Sequence, residues 1–335
     1  MIWWIPTAVA NPGVLSAEPE FDPAPAPETI LGGEVVTPGE RPAIGALFVR
    51  DLFGCTSVLI APDLVLSAGH CDTAGSIERS VVLGATDLTM LEDAERIAIA
   101  ESWRYPDYLE TFDIALFALD APAVTEPARV LWPCEVDELL FDGIEAQIAG
   151  YGATDRSGVQ TTTLLHDATV TIQDADCSDL KRGCRAAVSP GGELRAGTAP
   201  DAPLADTCIG DSGGPLTIDS PDGPLVAGIT SRSALPAPTP CGEGGLYVRT
   251  DALIDWIEAT SGRALPRPDC APPGPVNEPE PEPKPKPGPL PEDTGRPLAM
   301  PGSSSQTCRH AGSGAIGAWL GLLGISAVRR RRRLY

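Results

Sequence analysis

The nine residues from Cys208 to Leu216 read CIGDSGGPL, with three glycines and a proline set around one serine and one aspartate. Glycine serves where backbone must pass close to something or take a strained conformation, so Ser212 reads as a side chain presented for chemistry. A serine nucleophile needs a base within hydrogen-bond reach and a third group that orients the base. The chain has three histidines. His310 lies in the tail, and His166 sits in the strand-like run LLHDATV with no accompanying motif. His70, in VLSAGHC, ends an apolar run directly before Cys71. Asp113 interrupts the apolar run of TFDIALFAL; a carboxylate buried there without a partner is costly or becomes protonated. An imidazole that turns cationic during turnover is a suitable partner. Taken singly, a tight glycine turn and a structural core histidine remain open readings.

These residues are separated by short alternating or continuous apolar runs: PAIGALFV, TSVLIAPDLVLSA, DIALFAL, EAQIAGYG and GPLVAGIT, divided by turns rich in Gly, Pro and Asp. Many short strands with turn signals predict an all-β barrel or sandwich. Only Asp251 to Ser261, DALIDWIEATS, has helical spacing, with Leu253, Ile254, Trp256 and Ile257 on one side and Asp251 as the N-cap.

The order His70 in SAGHC, Asp113 in DIAL and Ser212 in GDSGGPL resembles the trypsin-like serine proteases of the chymotrypsin fold. The likeness runs over most of residues 30 to 263: ILGG at 30–33 resembles the mature N-terminus, GYG at 150–152 the family's GWG, and GGLYVRTDALIDWI at 244–257 its closing strand and helix. It implies two six-stranded antiparallel β-barrels with a C-terminal helix. It also implies a catalytic triad of His70, Asp113 and Ser212, and an oxyanion hole made by the Gly210 and Ser212 backbone N–H groups. Asp211 would pair with the α-amino group of Ile30 once an activating protease has cut before it. Thr29 precedes Ile30, where family zymogens often carry Arg or Lys.

Six residues before the nucleophile, Asp206 would form the base of a primary specificity pocket that selects Arg or Lys, with Ser233 and Gly245 in its walls. Ser231 takes the place of the family's triad-supporting serine, Arg232 replaces a usual tryptophan and Ser233 a usual glycine. A nearby arginine would compete for Asp206. The resemblance pairs Cys55 with Cys71 and Cys208 with Cys241, and more loosely Cys177 with Cys184; Cys134 and Cys270 are left to each other. The acidic stretch GATDLTMLEDAER, 84–96, lies where some relatives bind calcium, but Ala85 stands at one ligand position, so no metal and no cofactor are expected.

Nine cysteines without a CxxC pair point to an exported, disulfide-bonded protein. The 24 basic against 46 acidic residues leave a net charge of −22, all of it within residues 30–263. That balance excludes nucleic acid as a partner and would steer cationic ligands weakly at high salt. Five segments are expected: a truncated signal peptide over 1–10, closing on Ala8-Val9-Ala10; a Pro-rich propeptide over 11–29; the peptidase domain over 30–270; a Pro-rich linker over 271–307; and a sorting or anchor tail over 308–335. At ~3 Å per residue the linker would reach on the order of 100 Å. In the tail Cys308 precedes an uncharged apolar run, 311–328, and five arginines at 329–333. This resembles a MYXO-CTERM-type sorting tail; an ordinary membrane anchor is the other reading. The whole describes a secreted serine endopeptidase tethered to the cell surface or outer envelope. Its partners would be polypeptide substrates, an activating protease and tail-processing machinery. A catalytically silent protease-like binding module and a protease of non-tryptic preference are the competing readings.

Overall fold

The computed structural model of the chain describes residues 30–73 and 78–270. The expected leader, propeptide, linker and tail, Cys308 included, lie outside them. No helix among the described residues is long and apolar enough to cross a membrane.

A two-residue strand, β1 (Glu34–Val35), precedes the first barrel, built from β2 (Ile44–Val49), β3 (Leu52–Ala61), β4 (Leu64–Ser67), β5 (Arg79–Leu83), β6 (Glu95–Arg104) and β7 (Ala115–Leu119). Its strands close antiparallel in the order β2-β3-β4-β7-β6-β5. A short β8 (Arg129–Val130) and one helical turn, α1 (Val136–Leu139), lead to the second barrel. That barrel comprises β9 (Glu145–Gly150), β10 (His166–Asp174), β11 (Glu193–Gly197), β12 (Pro215–Ile218), β13 (Leu225–Ser233) and β14 (Gly245–Arg249). The path β10-β11-β14-β13-β12-β9 closes through the pairing of β9 with β10, while β1 adds to β10 and β8 runs parallel to β13. Closure removes the open edges that so many short strands would otherwise present.

The runs that looked continuously apolar are buried on both faces. Leu59, Val65, Val81, Leu83 and Phe117 fill the first barrel, and Ile148, Val170, Leu194, Leu216 and Leu225 fill the second, joined there by Ile30. A third cluster spans the seam: Ile60, Leu64, Leu66 and Leu116 of the first barrel meet Ile229 and Val248 of the second. The closing helix packs against this seam through Ile254 and Ile257.

The helix differs from expectation at its start. Asp251–Leu253 form one 3-10 turn, and α2 runs over Ile254–Ser261. Asp251 is not the cap, because its carboxylate takes the Arg249 guanidinium, Nε at 3.0 Å and Nη2 at 2.8 Å. The four disulfides join Cys55 to Cys71, Cys134 to Cys270, Cys177 to Cys184 and Cys208 to Cys241.

Candidate active site

The first barrel supplies a histidine and an aspartate. His70 sits in a 3-10 turn, Gly69–Cys71, that follows β4, and the Cys55–Cys71 disulfide ties this turn back to β3. Asp113 lies two residues before β7, the strand that pairs with β4, so the ladder brings the two side chains together. Asp113 Oδ2 receives His70 Nδ1 at 2.8 Å and Oδ1 receives the His70 backbone N–H at 2.9 Å. A third donor comes from the second barrel, the Ser231 hydroxyl at 2.7 Å from Oδ2. Ser231 is aimed there by a register shift between Thr230 and Arg232 in the β13–β14 ladder, a bulge of the kind that redirects one side chain. Burial alone would raise the Asp113 carboxyl, but the His70 and Ser231 hydrogen bonds and the imidazole charge outweigh it and hold the group below its ordinary range.

The nucleophile loop is clamped between the barrels. The Ser212 carbonyl accepts the Thr56 N–H of β3 at 3.0 Å, Gly213 N donates to the Thr230 carbonyl of β13 at 2.8 Å, and Thr230 N returns to the Gly214 carbonyl at 2.9 Å. The Cys71 sulfur lies 3.8 Å from the Ser212 carbonyl oxygen, which puts Ser212 beside the histidine turn. Two glycines are required by this approach. A Cβ on Gly213, at φ +82°, would stand 1.9 Å from Ser67 Oγ, and one on Gly210, at φ +103°, would stand 2.9 Å from the Gly152 Cα. Among the described residues the Gly210 and Ser212 amides make no hydrogen bond to protein, and the Ser212 hydroxyl and His70 Nε2 are likewise unengaged. The Ser212 loop thus adjoins the histidine turn, and among the described residues no hydrogen bond joins Ser212 to His70, as is common before substrate tightens such a site.

Behind Ser212 lie two more buried carboxyls. Asp211 is fully enclosed and accepts Gly152 N–H and Cys208 N–H, each at 2.8 Å. Burial pushes it up to about 7, against those two bonds and with the Asp206 charge adding to the rise. Asp206, 1% exposed, accepts Thr207 N–H at 2.8 Å, Gly242 N–H at 2.6 Å and Gly244 N–H at 3.1 Å. It is pushed up to about 6 by burial. Its own N–H donates to the Leu31 carbonyl at 3.1 Å, which docks the segment after Ile30 on this loop; Ile30 itself is fully buried. Ser233 pairs directly with Gly245 at the end of β13, and a Cβ on Gly245 would stand 2.7 Å from the Tyr247 hydroxyl oxygen.

Arg232 does not compete for Asp206. Its guanidinium grips Glu193 of β11, Nη1 to Oε1 at 2.6 Å and Nη2 to Oε2 at 2.9 Å. Sequence reasoning missed Glu193, since an acidic residue in ELRAG gives no sign that it is 1% exposed. It also missed Thr56, whose hydroxyl donates to the Gly210 carbonyl at 2.9 Å. In the acidic 84–96 loop, Asp87 accepts Thr89 N and Oγ1 at 2.8 Å, and Ala85 is buried.

Two closed barrels holding a hydrogen-bonded His–Asp pair on one side and a glycine-framed serine on the other define a double-barrel protein with the constellation of serine-dependent acyl transfer. The trypsin family matches residues 30–257, and the chain belongs to that family. It is similar to brachyurin of Leptuca pugilator, 30% identical over 240 residues that cover 70% of this chain and 99% of brachyurin. Bovine (Bos taurus) granzyme A is 28% identical over 245 residues, covering 71% of this chain and 90% of the relative. The structure of neuropsin, a serine protease expressed in the limbic system of mouse brain, superposes with a TM-score of 0.57 at 28% identity over 69% of this chain and all of neuropsin. These relatives support a serine endopeptidase.

Proposed function

We propose that the chain is an exported serine endopeptidase that cleaves after Arg or Lys, working through an acyl-enzyme on Ser212. The observation that carries this is the Asp113–His70 hydrogen bond beside a serine loop clamped to both barrels. His70 takes the Ser212 proton as the hydroxyl attacks the scissile carbonyl and returns it to the leaving amine; Asp113 fixes the tautomer and stabilises the imidazolium. The free Gly210 and Ser212 amides stabilise the oxyanion, each such donor being worth ~3 kcal/mol in the transition state. Water then attacks the acyl-enzyme by the same route in reverse.

Asp206 supports the preference for a cationic side chain, because a carboxylate at the floor of a pocket rewards a charged partner and rejects neutral ones. Its three backbone hydrogen bonds favour a second reading, in which the floor is already satisfied and small uncharged side chains enter. The −22 charge supports attraction of basic substrates. Cleavage before Ile30 would supply an amine for Asp211. Cys308 and the apolar tail support tethering to the cell envelope, checked by whether a Cys308→Ala chain is shed into the medium.

The deciding experiment compares chromogenic peptides ending in Arg and in Ala, with the full chain cut before Ile30 and Ser212→Ala as control. Arg turnover lost in the control upholds the triad and the pocket. Turnover after Ala alone keeps the triad and rejects the Asp206 role. A folded, correctly cut chain that turns over neither rejects the Arg or Lys preference and leaves a protease of narrow specificity or a binding module.

A further inference from the structure

Glu193, Arg232, Ser231, Asp113 and His70 form an unbroken chain of hydrogen bonds. Arg232 is held at several acceptors: both Glu193 oxygens, the Gly183 carbonyl at 2.7 Å from Nη2, and Ser231 Oγ at 3.2 Å from Nη1. Glu193 in turn accepts the Arg185 backbone N–H at 2.9 Å, and the Arg185 guanidinium lies 3.8 Å from its Oε1. Guanidinium has donors and no acceptor, so toward Arg232 the Ser231 hydroxyl can only accept. Its single proton is then directed at Asp113 Oδ2. The Asp113 carboxylate only accepts, so the hydroxyl donates to it on one side while Arg232 occupies its lone pair on the other, which polarises the O–H toward Asp113.

We propose that Arg232, clamped by Glu193, is a positioning residue for the reaction: it holds and polarises the Ser231 hydroxyl that donates to Asp113 and thereby sets how strongly Asp113 binds the His70 imidazole. Arg232 touches none of the reacting atoms and acts through Ser231. Two guanidiniums against one carboxylate leave an excess positive charge here, and that charge also favours ionised Asp113. The inference rests on the triad reading above.

Removing Arg232 alone leaves Glu193 buried without its partner, which destabilises folds, so the variant is the pair Glu193→Gln with Arg232→Gln. In the full chain cut before Ile30, the pair lowers kcat by about tenfold, the order of one lost charge-assisted hydrogen bond, and leaves KM unchanged. The acid limb of the pH–rate profile moves up, because a less engaged Asp113 favours imidazolium; the pair removes one cation and one anion together, so the local net charge is unchanged. Ser231→Ala gives the same loss, adding it to the pair changes nothing further, and Arg232→Lys restores most of kcat. Independent, multiplying losses would overturn the proposal, as would a change confined to KM that varies with the peptide used. The His70 titration, followed by NMR in a Ser212→Ala background, must move up in the pair; an unmoved titration overturns the proposal without reference to turnover. Absence of Ser212-dependent turnover in the unaltered chain counts against the enzyme reading alone.

Discussion

Asp113 and Asp211 are both buried aspartates that flank the same serine, and their surroundings push them in opposite directions. Asp113 has His70 as a partner that can become cationic, together with the Ser231 hydroxyl, and is held below its ordinary range. Asp211 has only two backbone N–H groups, no cation among the described residues, and a second carboxyl, Asp206, close enough to raise it further. The difference teaches that a buried carboxyl is held down where a cation and a hydroxyl face it and pushed up where only backbone N–H groups do. Asp113 is fully served by its partners, whereas Asp211 is enclosed with no cation among the described residues. A buried carboxylate is stable only when partnered, so the surroundings of Asp211 are where a new chain terminus would have most effect.

The largest effect is expected from Asp113→Asn. An amide in place of the carboxylate holds the imidazole in the wrong tautomer, and kcat should fall by about 10⁴ with KM little changed. Steady-state kinetics on the cut chain test this; a loss under tenfold would make Asp113 no better served than Asp211 and break the comparison.

Asp211→Asn should separate stability from activity. A carboxyl raised to about 7 from 3.8 gives stability that is fully present below the unfolded value and lost as pH rises through the folded one. At pH 8 the ionised group costs on the order of 4 kcal/mol, at 1.36 kcal/mol per pH unit of displacement. The uncut chain should therefore lose melting temperature between pH 4 and pH 8, and Asp211→Asn should flatten that loss while removing activity from the cut chain. Thermal melts across pH decide it: a substituted chain that melts lower at pH 8 would mean Asp211 already has its cation.

A smaller effect is expected at Thr56, which serves the serine loop from the first barrel. Its hydroxyl donates to the Gly210 carbonyl and accepts the Tyr151 N–H at 3.2 Å. Thr56→Val leaves the Tyr151 N–H buried and unpaired, at on the order of 2 kcal/mol, while the Gly210 carbonyl keeps the Thr56 backbone N–H at 3.2 Å. Denaturant titration measures it, and an unchanged midpoint would mean that the loop is held by its backbone alone.

Much of this was legible in the sequence, for identifiable reasons. Continuous apolar runs such as IGALFV and TSVLIA mark strands covered on both faces, which made an all-β barrel or sandwich legible, while the pair of barrels followed only from the family resemblance. The serine loop was legible because Gly210 and Gly213 adopt backbone conformations that few other residues tolerate. The Arg232–Glu193 grip was not, since the two residues lie 39 positions apart and meet only because β11 and β13 both pair with β14. Asp251 misled because a capping aspartate and an aspartate paired with Arg249 look the same in one dimension.

The smallest predicted effect concerns His166, a third buried titratable group, on β10. It is fully buried, and among the described residues neither ring nitrogen has a hydrogen-bond partner. Burial pushes the imidazole down, opposed by the Leu164 backbone and the Asp167 charge. For a base whose folded pKa is depressed, the unfolded chain takes up the proton first, so stability is complete above the ordinary histidine value of 6.5 and declines as pH falls below it. This runs opposite to Asp211, whose contribution declines as pH rises from 3.8 through about 7, so the two offset each other where they overlap below 6.5. His166→Leu should remove the decline on the acid side and leave the alkaline side untouched, read as melting temperature at pH 5 and pH 8. If both sides moved together, His166 and Asp211 would be titrating as one coupled unit across the β9–β10 ladder, where His166 stands opposite Gly150 and a Cβ on Gly150 would lie 2.3 Å from Asp211 Oδ1.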